Sequence, residues 1–477
     1  MVIVLHPIPQ AQHCIWDNIL ETTSHYAPNL MRAKYHKIVA RIADDIHAGR
    51  LQPGARLPTH RQLAWEHGLS LGTATRVFAE LDAMGLTIGE VGRGTFVRRQ
   101  SDVRAGEFVV RGASSEMVDL RLNHFLLPEQ DELFQSALQD VLARGTDVLG
   151  YRDTFGDPED RARIAGWLSA SEQMPSVDPA RLVVCAGGQH GLFLSLAATC
   201  RPGDVIAIEA LSYPVIRQAC ALLHLNVVEV ASDTDGIRPD ALDALCRDTP
   251  VKLLFTMPNL QNPTSVTMPE ARRRALTEVI QRHDLWVIED DAYGFLLPDP
   301  PVSLAALMPE RVFYLRPYSK SWAPGLRIAH LVFPAGLEKR IEQAQSGTIW
   351  TAVPLMASVI GALIDSGAYA QITAAKRKDI AKRQRIFTTE LGAYRVQTAP
   401  QSMHALVHLP PGQRSSTLVS TLFEAGVIVA PLRQFAAPHG EGQPIPEGVR
   451  LCLGAPPDRR RLQQGLSLLA AHLGPRP

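Results

Sequence analysis

The spacing of apolar positions changes character along the chain. Over residues 34–48, KYHKIVARIADDIHA, the side chains of Tyr35, Ile38, Val39, Ile42 and Ile46 recur at helical intervals and give one apolar face. Gly49 closes this helix. A Pro-Gly turn follows, and Thr59 is placed to cap a short helix that runs through Glu66 and breaks at Gly68. Ser70 can cap a third helix, SLGTATRVFAELDAMG, with Ala74, Val77, Phe78 and Leu81 facing inward. Two short β-prone runs then flank a glycine-rich tip at Gly89 to Gly94. Residues 99–116 lose the periodicity, carry mixed charge and read as a linker. From Leu182 onward the pattern is different. Short, almost continuous apolar runs (LVVC, VIAIEA, NVVEVA, VKLLFTMP, LWVIEDD, VFYLRP, RIAHLVFP) alternate with helical stretches. Strands this apolar are buried on both faces, which predicts an α/β body around a mostly parallel sheet.

Composition narrows the setting. A chain of 477 residues exceeds one ordinary domain, and 46% hydrophobic residues can fill a large core. Lys+Arg and Asp+Glu balance at 48 each, so any contact with nucleic acid must be local. The six cysteines are scattered without a C-x-x-C pair, which suits a reducing cytosol better than a disulfide framework or a zinc site. No apolar run reaches membrane-spanning length, and MVIVLHPIPQ lacks the basic n-region of a signal peptide. The expectation is a soluble, cytoplasmic protein with no membrane partner and no metal ligand set.

Three short helices and a hairpin make a winged helix-turn-helix over residues 31–98. The exposed start of its third helix offers Ser70, Thr73 and Arg76 to base edges. Arg56, Arg61 and Arg93 fall at the second helix and the wing, where phosphates dock. Trihelical modules also serve protein contacts, but arginines at three separate docking positions favour double-stranded DNA. The stretch GRLQPGARLPTHRQLA, with GRGTFV after it, resembles the GntR-type winged helix. That resemblance implies Arg56, Thr59, Arg61, Thr73, Arg76, Arg93 and Gly94 as DNA contacts.

In the body, the unusual residues collect after the carboxyl ends of the predicted strands, where open α/β sheets bind ligands. LVVC is followed by AGGQ, VIAIEA by LSYP, VKLLFTMP by NLQNPTS, LWVI by EDDAYG, and VFYLRP by YSK. Pyridoxal 5'-phosphate would employ all of them. Lys320 would form the Schiff base, and Asp290 would keep the ring nitrogen protonated. Asn262 and Tyr293 would bond the phenolic oxygen, and Tyr213 would stack on the ring. Gly188 and Gln189 at a helix start, with Ser319 and Arg327, would hold the phosphate. Asp291 reads as a solvated or capping acid, and His124 and His190 as structural.

The ordered set AGGQ, SYP, QNPT, DDAY and SKSWAPGLR resembles the fold-type I aminotransferases of the class I/II group, over residues 117–470. The resemblance implies a seven-stranded sheet and a smaller α/β C-terminal subdomain. It also implies that Tyr151 reaches the phosphate of a neighbouring subunit, hence a homodimer, and that Arg450 clamps a substrate carboxylate. The chain departs from that pattern at Pro317, where a hydroxyl residue is usual, at Gly188, at Ser265, and around Asn123 and His124. A GntR-type head on such a body resembles the MocR-like transcription regulators. This implies a dimeric DNA-binding protein that senses pyridoxal phosphate, or an amino acid or amine effector. The alternative is a working aminotransferase carrying a DNA-binding head; a third reading makes the body a cofactor-free scaffold.

Overall fold

The computed structural model of the chain describes residues 38–97, 117–436 and 447–474, apart from 40, 43–44, 47–49, 53, 84–85, 91–93, 146–149, 171–173 and 175. The chain divides into two compact units, Met1–Glu107 and Phe108–Pro477.

In the first unit, helical residues Ile38, Val39 and Ile42 are buried with Leu57, Leu63 and Val97 in one small core. Tyr35 lies outside the described residues. Helix α1 (His60–His67) starts at Thr59, whose side chain accepts the Gln62 N–H at 3.2 Å while Gln62 Oε1 accepts the Thr59 N–H at 2.9 Å. This reciprocal cap satisfies two amides that the helix itself leaves open. Gly68 ends α1 in the left-handed region, at φ 59°. Helix α2 (Leu71–Ala83) follows Ser70, which accepts the Thr73 N–H at 3.2 Å. Ala74, Val77, Phe78 and Leu81 are all buried, as the helical period requires. Strands β1 (Thr87–Glu90) and β2 (Gly94–Val97) pair antiparallel and form the wing.

The second unit is built on seven strands: β3 (Leu182–Cys185), β4 (Val205–Glu209), β5 (Asn226–Val230), β6 (Val251–Thr256), β7 (Trp286–Asp290), β8 (Val312–Pro317) and β9 (Ala329–Val332). Each coincides with one of the seven apolar runs. Their order in the sheet is β3-β9-β8-β7-β6-β4-β5. Only β9 runs antiparallel to its neighbours. The segment 318–328 between β8 and β9 is too short for the helical crossover that a parallel pair needs, so the chain must turn back. Alternate residues face two different cores. Val184, Leu254, Val287 and Tyr314 enter one, and Val183, Phe255, Ile288 and Phe313 the other. Both faces are covered, hence the unbroken apolar runs.

Helix α3 (Gly188–Thr199) follows β3 directly, and α4 (Pro214–Leu222) follows β4. A smaller C-terminal subdomain begins with the long helix α5 (Ala368–Leu391). Its sheet joins β10 (Val396–Gln397), β11 (His404–His408), β12 (Ala430–Pro431) and β13 (Gly448–Cys452), in the order β10-β11-β13-β12, all antiparallel. Val118–Asp119 pairs in parallel with Val427–Ile428, so the chain entering the unit is anchored here just before it reaches the site.

Candidate functional site

The carboxyl ends of the strands set the positions. Asp290 is the last residue of β7, Lys320 stands three residues beyond β8, and Asn262 lies in the turn after β6. Gly188 and Gln189 open α3, whose first amides have no partner within the helix. The turn into α3 demands glycine: Gly187 has φ 85°, and a Cβ there would stand 2.8 Å from the Arg327 guanidinium. Arg327 itself is held at φ 51° and donates to the Ala186 carbonyl at 3.5 Å.

These groups converge on one cavity of about 330 Å³. Its wall includes Gly188, Gln189, Tyr213, Asn262, Asp290, Tyr293, Ser319, Lys320, Arg327 and Arg450. All the residues expected around the cofactor are present except Tyr151, which is 95% exposed and packs edge-on against Trp350 at 6.3 Å.

Among the described residues, several wall groups have no protein partner. Asp290 is only 6% exposed, and its Oδ1 accepts no hydrogen bond. Asn262 Oδ1 and the Arg450 Nε and Nη1 groups are equally unsatisfied. Each such group costs about 1–3 kcal/mol when buried, so the cavity is arranged for a molecule that pairs with them. Burial, and next the charge of Asp291, push the Asp290 carboxyl up to about 7, with Lys320 opposing. Burial pulls the Lys320 amine down to about 8. That amine donates to the Asn123 carbonyl at 2.5 Å instead of pairing with Asp290. Gln189 Nε2 donates to the Tyr213 hydroxyl at 3.3 Å and steadies the ring over the cavity. The donor and acceptor set fits pyridoxal phosphate: an amine for an aldehyde, an acceptor for a ring N–H, and helix amides with a guanidinium for a phosphate.

Asp291 is not solvated. It is fully buried and forms an ion pair with Arg316, accepts from Tyr314 Oη at 2.6 Å and Asn259 Nδ2 at 2.8 Å, and caps the Gly294 N–H at 3.0 Å. Arg316 in the apolar run VFYLRP carried the signal, because a buried arginine needs an acid. Asn123 was legible only as a departure, yet it ties three segments together. Its Nδ2 donates to Tyr293 Oη at 2.7 Å, its Oδ1 accepts from Cys452 Sγ at 2.9 Å, and its carbonyl receives Lys320. Tyr293 keeps its own proton to donate. His190 is structural, bonded to the Ala186 N–H at 3.2 Å and to Thr348 Oγ1 at 2.9 Å. His124 lines the cavity.

In the first unit Arg56, Arg61, Ser70 and Arg76 are exposed, and Thr73 is half-buried with its hydroxyl 2.8 Å from that of Ser70. Thr59 is exposed but engaged as the α1 cap. Gly94 lies under Arg56, whose Nε would stand 3.0 Å from a Cβ there. Arg93 lies outside the described residues.

The fold and the cavity define an aminotransferase-like body, and comparison with known proteins agrees. Residues 115–469 match the aminotransferase class I and II family, to which the chain belongs, and residues 34–97 match the gntR family of bacterial regulatory proteins. Over 462 residues the chain is 26% identical to the uncharacterized HTH-type transcriptional regulator YdeF of Bacillus subtilis, covering 93% of this chain and 96% of that one. It is 25% identical over 455 residues to the HTH-type transcriptional regulator TauR of Rhodobacter capsulatus, covering 87% and 92%. Over 379 residues it is 26% identical to the probable rhizopine catabolism regulatory protein MocR of Rhizobium meliloti, covering 74% and 76%. Among solved structures, Pyrococcus horikoshii kynurenine aminotransferase in complex with PMP superposes with a TM-score of 0.67 at 26% identity, over 76% of this chain and 91% of that one.

Burial gives Asp290 a testable pH signature. A carboxyl held near 7 in the fold and near about 4 when unfolded favours folding in its protonated form. The stability it contributes is therefore lost as pH rises across that interval. In the cofactor-free protein, Asp290→Asn should flatten the decline of unfolding free energy between those two values, measured by urea denaturation. An unchanged slope would mean that Asp290 is not the strained acid.

Proposed function

We propose that the chain is a pyridoxal phosphate-dependent, DNA-binding transcription regulator whose body senses the cofactor itself or an amino acid or amine. One observation carries this reading. The chain that bears the GntR head also bears a cavity in which Lys320, Asp290, Asn262 and Arg450 present unsatisfied or displaced polar groups toward a common space. The relatives that span nearly the whole chain are named transcriptional regulators, which supports the same reading.

Lys320 would bind the cofactor aldehyde, and its lowered proton affinity supplies the neutral amine this needs. Bound pyridoxal phosphate supplies an electron sink for chemistry at the Cα of an amine. Asp290 would accept the ring N–H, and Tyr293 with Asn262 would hold the phenolic oxygen. Tyr213 would cover the ring. Gly188, Gln189, Ser319 and Arg327 would hold the phosphate, helped by Tyr151 from a second copy, and Arg450 would take a ligand carboxylate. On the head, Arg56, Arg61 and Arg93 would contact phosphates of double-stranded DNA, with Ser70, Thr73 and Arg76 toward the bases. The protein would work as a cytoplasmic homodimer. Among the described residues no single helix is long and apolar enough to cross a membrane.

A second reading, an active aminotransferase, is favoured by the retention of Lys320, Asp290 and Arg450 in one cavity. It also draws on 30% identity over 223 residues to aromatic-amino-acid aminotransferase 1 of Thermococcus litoralis. Lys320 would then shuttle the proton from the ligand Cα.

Lys320→Ala should give a folded protein without the visible band of the bound cofactor, read by absorption after dialysis. Persistence of the band would remove Lys320 from its role. Arg76→Ala should weaken specific DNA binding by about 1–3 kcal/mol, read by fluorescence anisotropy, with the cofactor band intact. Arg61→Ala should weaken binding to all sequences alike and reduce the salt slope by about 1.

A further inference from the structure

Helix α5 carries a second lysine beside the site, Lys376, which is fully buried. Its Nζ donates to the Trp322 carbonyl at 2.7 Å and to the Lys320 carbonyl at 3.2 Å. Those two carbonyls belong to the short segment that carries the Lys320 side chain. Gln130 Nε2 reaches the same Trp322 oxygen at 2.8 Å, so that end of the segment is held from two helices.

Lys376 has no acid with it. Among the described residues no carboxylate forms an ion pair with it, and its amine stands 5.8 Å from the centre of the Phe125 ring. The titratable groups that act on it or respond to it from the opposing segments are Lys320 and His124. Arg383, on its own helix, lies 4.9 Å from the same Phe125 ring and is paired with Asp379. The groups nearest in kind are therefore bases. A slot between Phe125 and the 320–322 backbone could be filled by Leu or Met at lower desolvation cost, so the amine needs a reason.

We infer that Lys376 is a positioning residue for Lys320. Its hydrogen bonds to the Lys320 and Trp322 carbonyls fix the 320–322 backbone, and with it the direction in which the Lys320 side chain enters the cavity. This rests on the reading of Lys320 as the cofactor-binding lysine. Burial, and then the charge of Lys320, draw Lys376 itself down to about 7.

The test uses full-length protein loaded with pyridoxal phosphate and follows release of the cofactor, read as loss of the visible band after dilution into buffer that contains none. Lys376→Met removes both the bonds and the charge. Lys376→Gln removes the charge but keeps a donor for a carbonyl, and carries the test alone should the Met variant not fold. Both should bind the cofactor and release it faster than the wild type, Met by about tenfold, the weight of one or two lost hydrogen bonds. Gln should release the cofactor more slowly than Met. Release at the wild-type rate in the folded variants would overturn the inference. Loss of the band in Lys320→Ala together with that result would leave the cofactor reading standing. A band that survives in Lys320→Ala would instead remove the reading beneath it.

Discussion

An amine and a carboxylate are buried in one cavity and do not pair with each other. Asp290 ends β7, and Lys320 follows the adjacent parallel strand β8. Lys320 turns to the Asn123 carbonyl, while one oxygen of Asp290 is left with no partner. Two opposite charges that could meet but are held apart leave room for a third body, and both proton affinities are displaced toward neutrality. The rest of the site follows from that separation. A flat, charged ligand between them would need an anion site at its far end, which the α3 amides and Arg327 would supply under the proposed function, and a wall for its face, which Tyr213 would supply.

A second layer keeps the first in place. Asp291 is anchored by Arg316, Tyr314 and Asn259, and Asn259 in turn accepts from Arg273 Nη2 at 2.5 Å. Arg273 faces Glu289 at 3.6 Å, fully buried. Breaking such a buried pair on one side typically costs about 3–5 kcal/mol, because the remaining charge is stranded. The network thus fixes the residues on either side of Asp290 while leaving Asp290 itself unpaired.

Much of this was legible in the chain itself. The seven apolar runs became the seven strands, because burial on both faces removes polar alternation and leaves a recognisable signature. The head's caps at Thr59 and Ser70 were readable for a similar reason, being local contacts between residues three apart. Five motifs separated by long stretches met in one cavity, since each follows a strand end. Long-range partners were not legible. Asp291 read as a solvated or capping acid; it does cap the Gly294 N–H, but only the arrival of Arg316 on the next strand shows it to be buried and paired. Lys376 is an ordinary helical lysine in sequence; only the approach of the 320–322 carbonyls makes it unusual. The reversed strand β9 depends on a connection length, which an apolar run does not encode. Tyr151 stands away from the cavity of its own chain.

Regulation requires that the ligand favour one arrangement of the protein over another, because equal affinity for both shifts nothing. The cavity draws its wall from the seven-stranded unit and from β13 of the C-terminal subdomain through Arg450. A carboxylate on Arg450 and a cofactor on Lys320 would therefore join two bodies of the same chain. The most direct measurement is the affinity of the full-length protein for its operator DNA at fixed salt, with and without pyridoxal phosphate, and then across a set of amino acids and amines. The account predicts that cofactor loading, or one class of amine on the loaded protein, changes that affinity, and that Lys320→Ala abolishes the change. An affinity unmoved by the cofactor and by every amine, while the amines are turned over to keto acids, would contradict it and make the chain an enzyme.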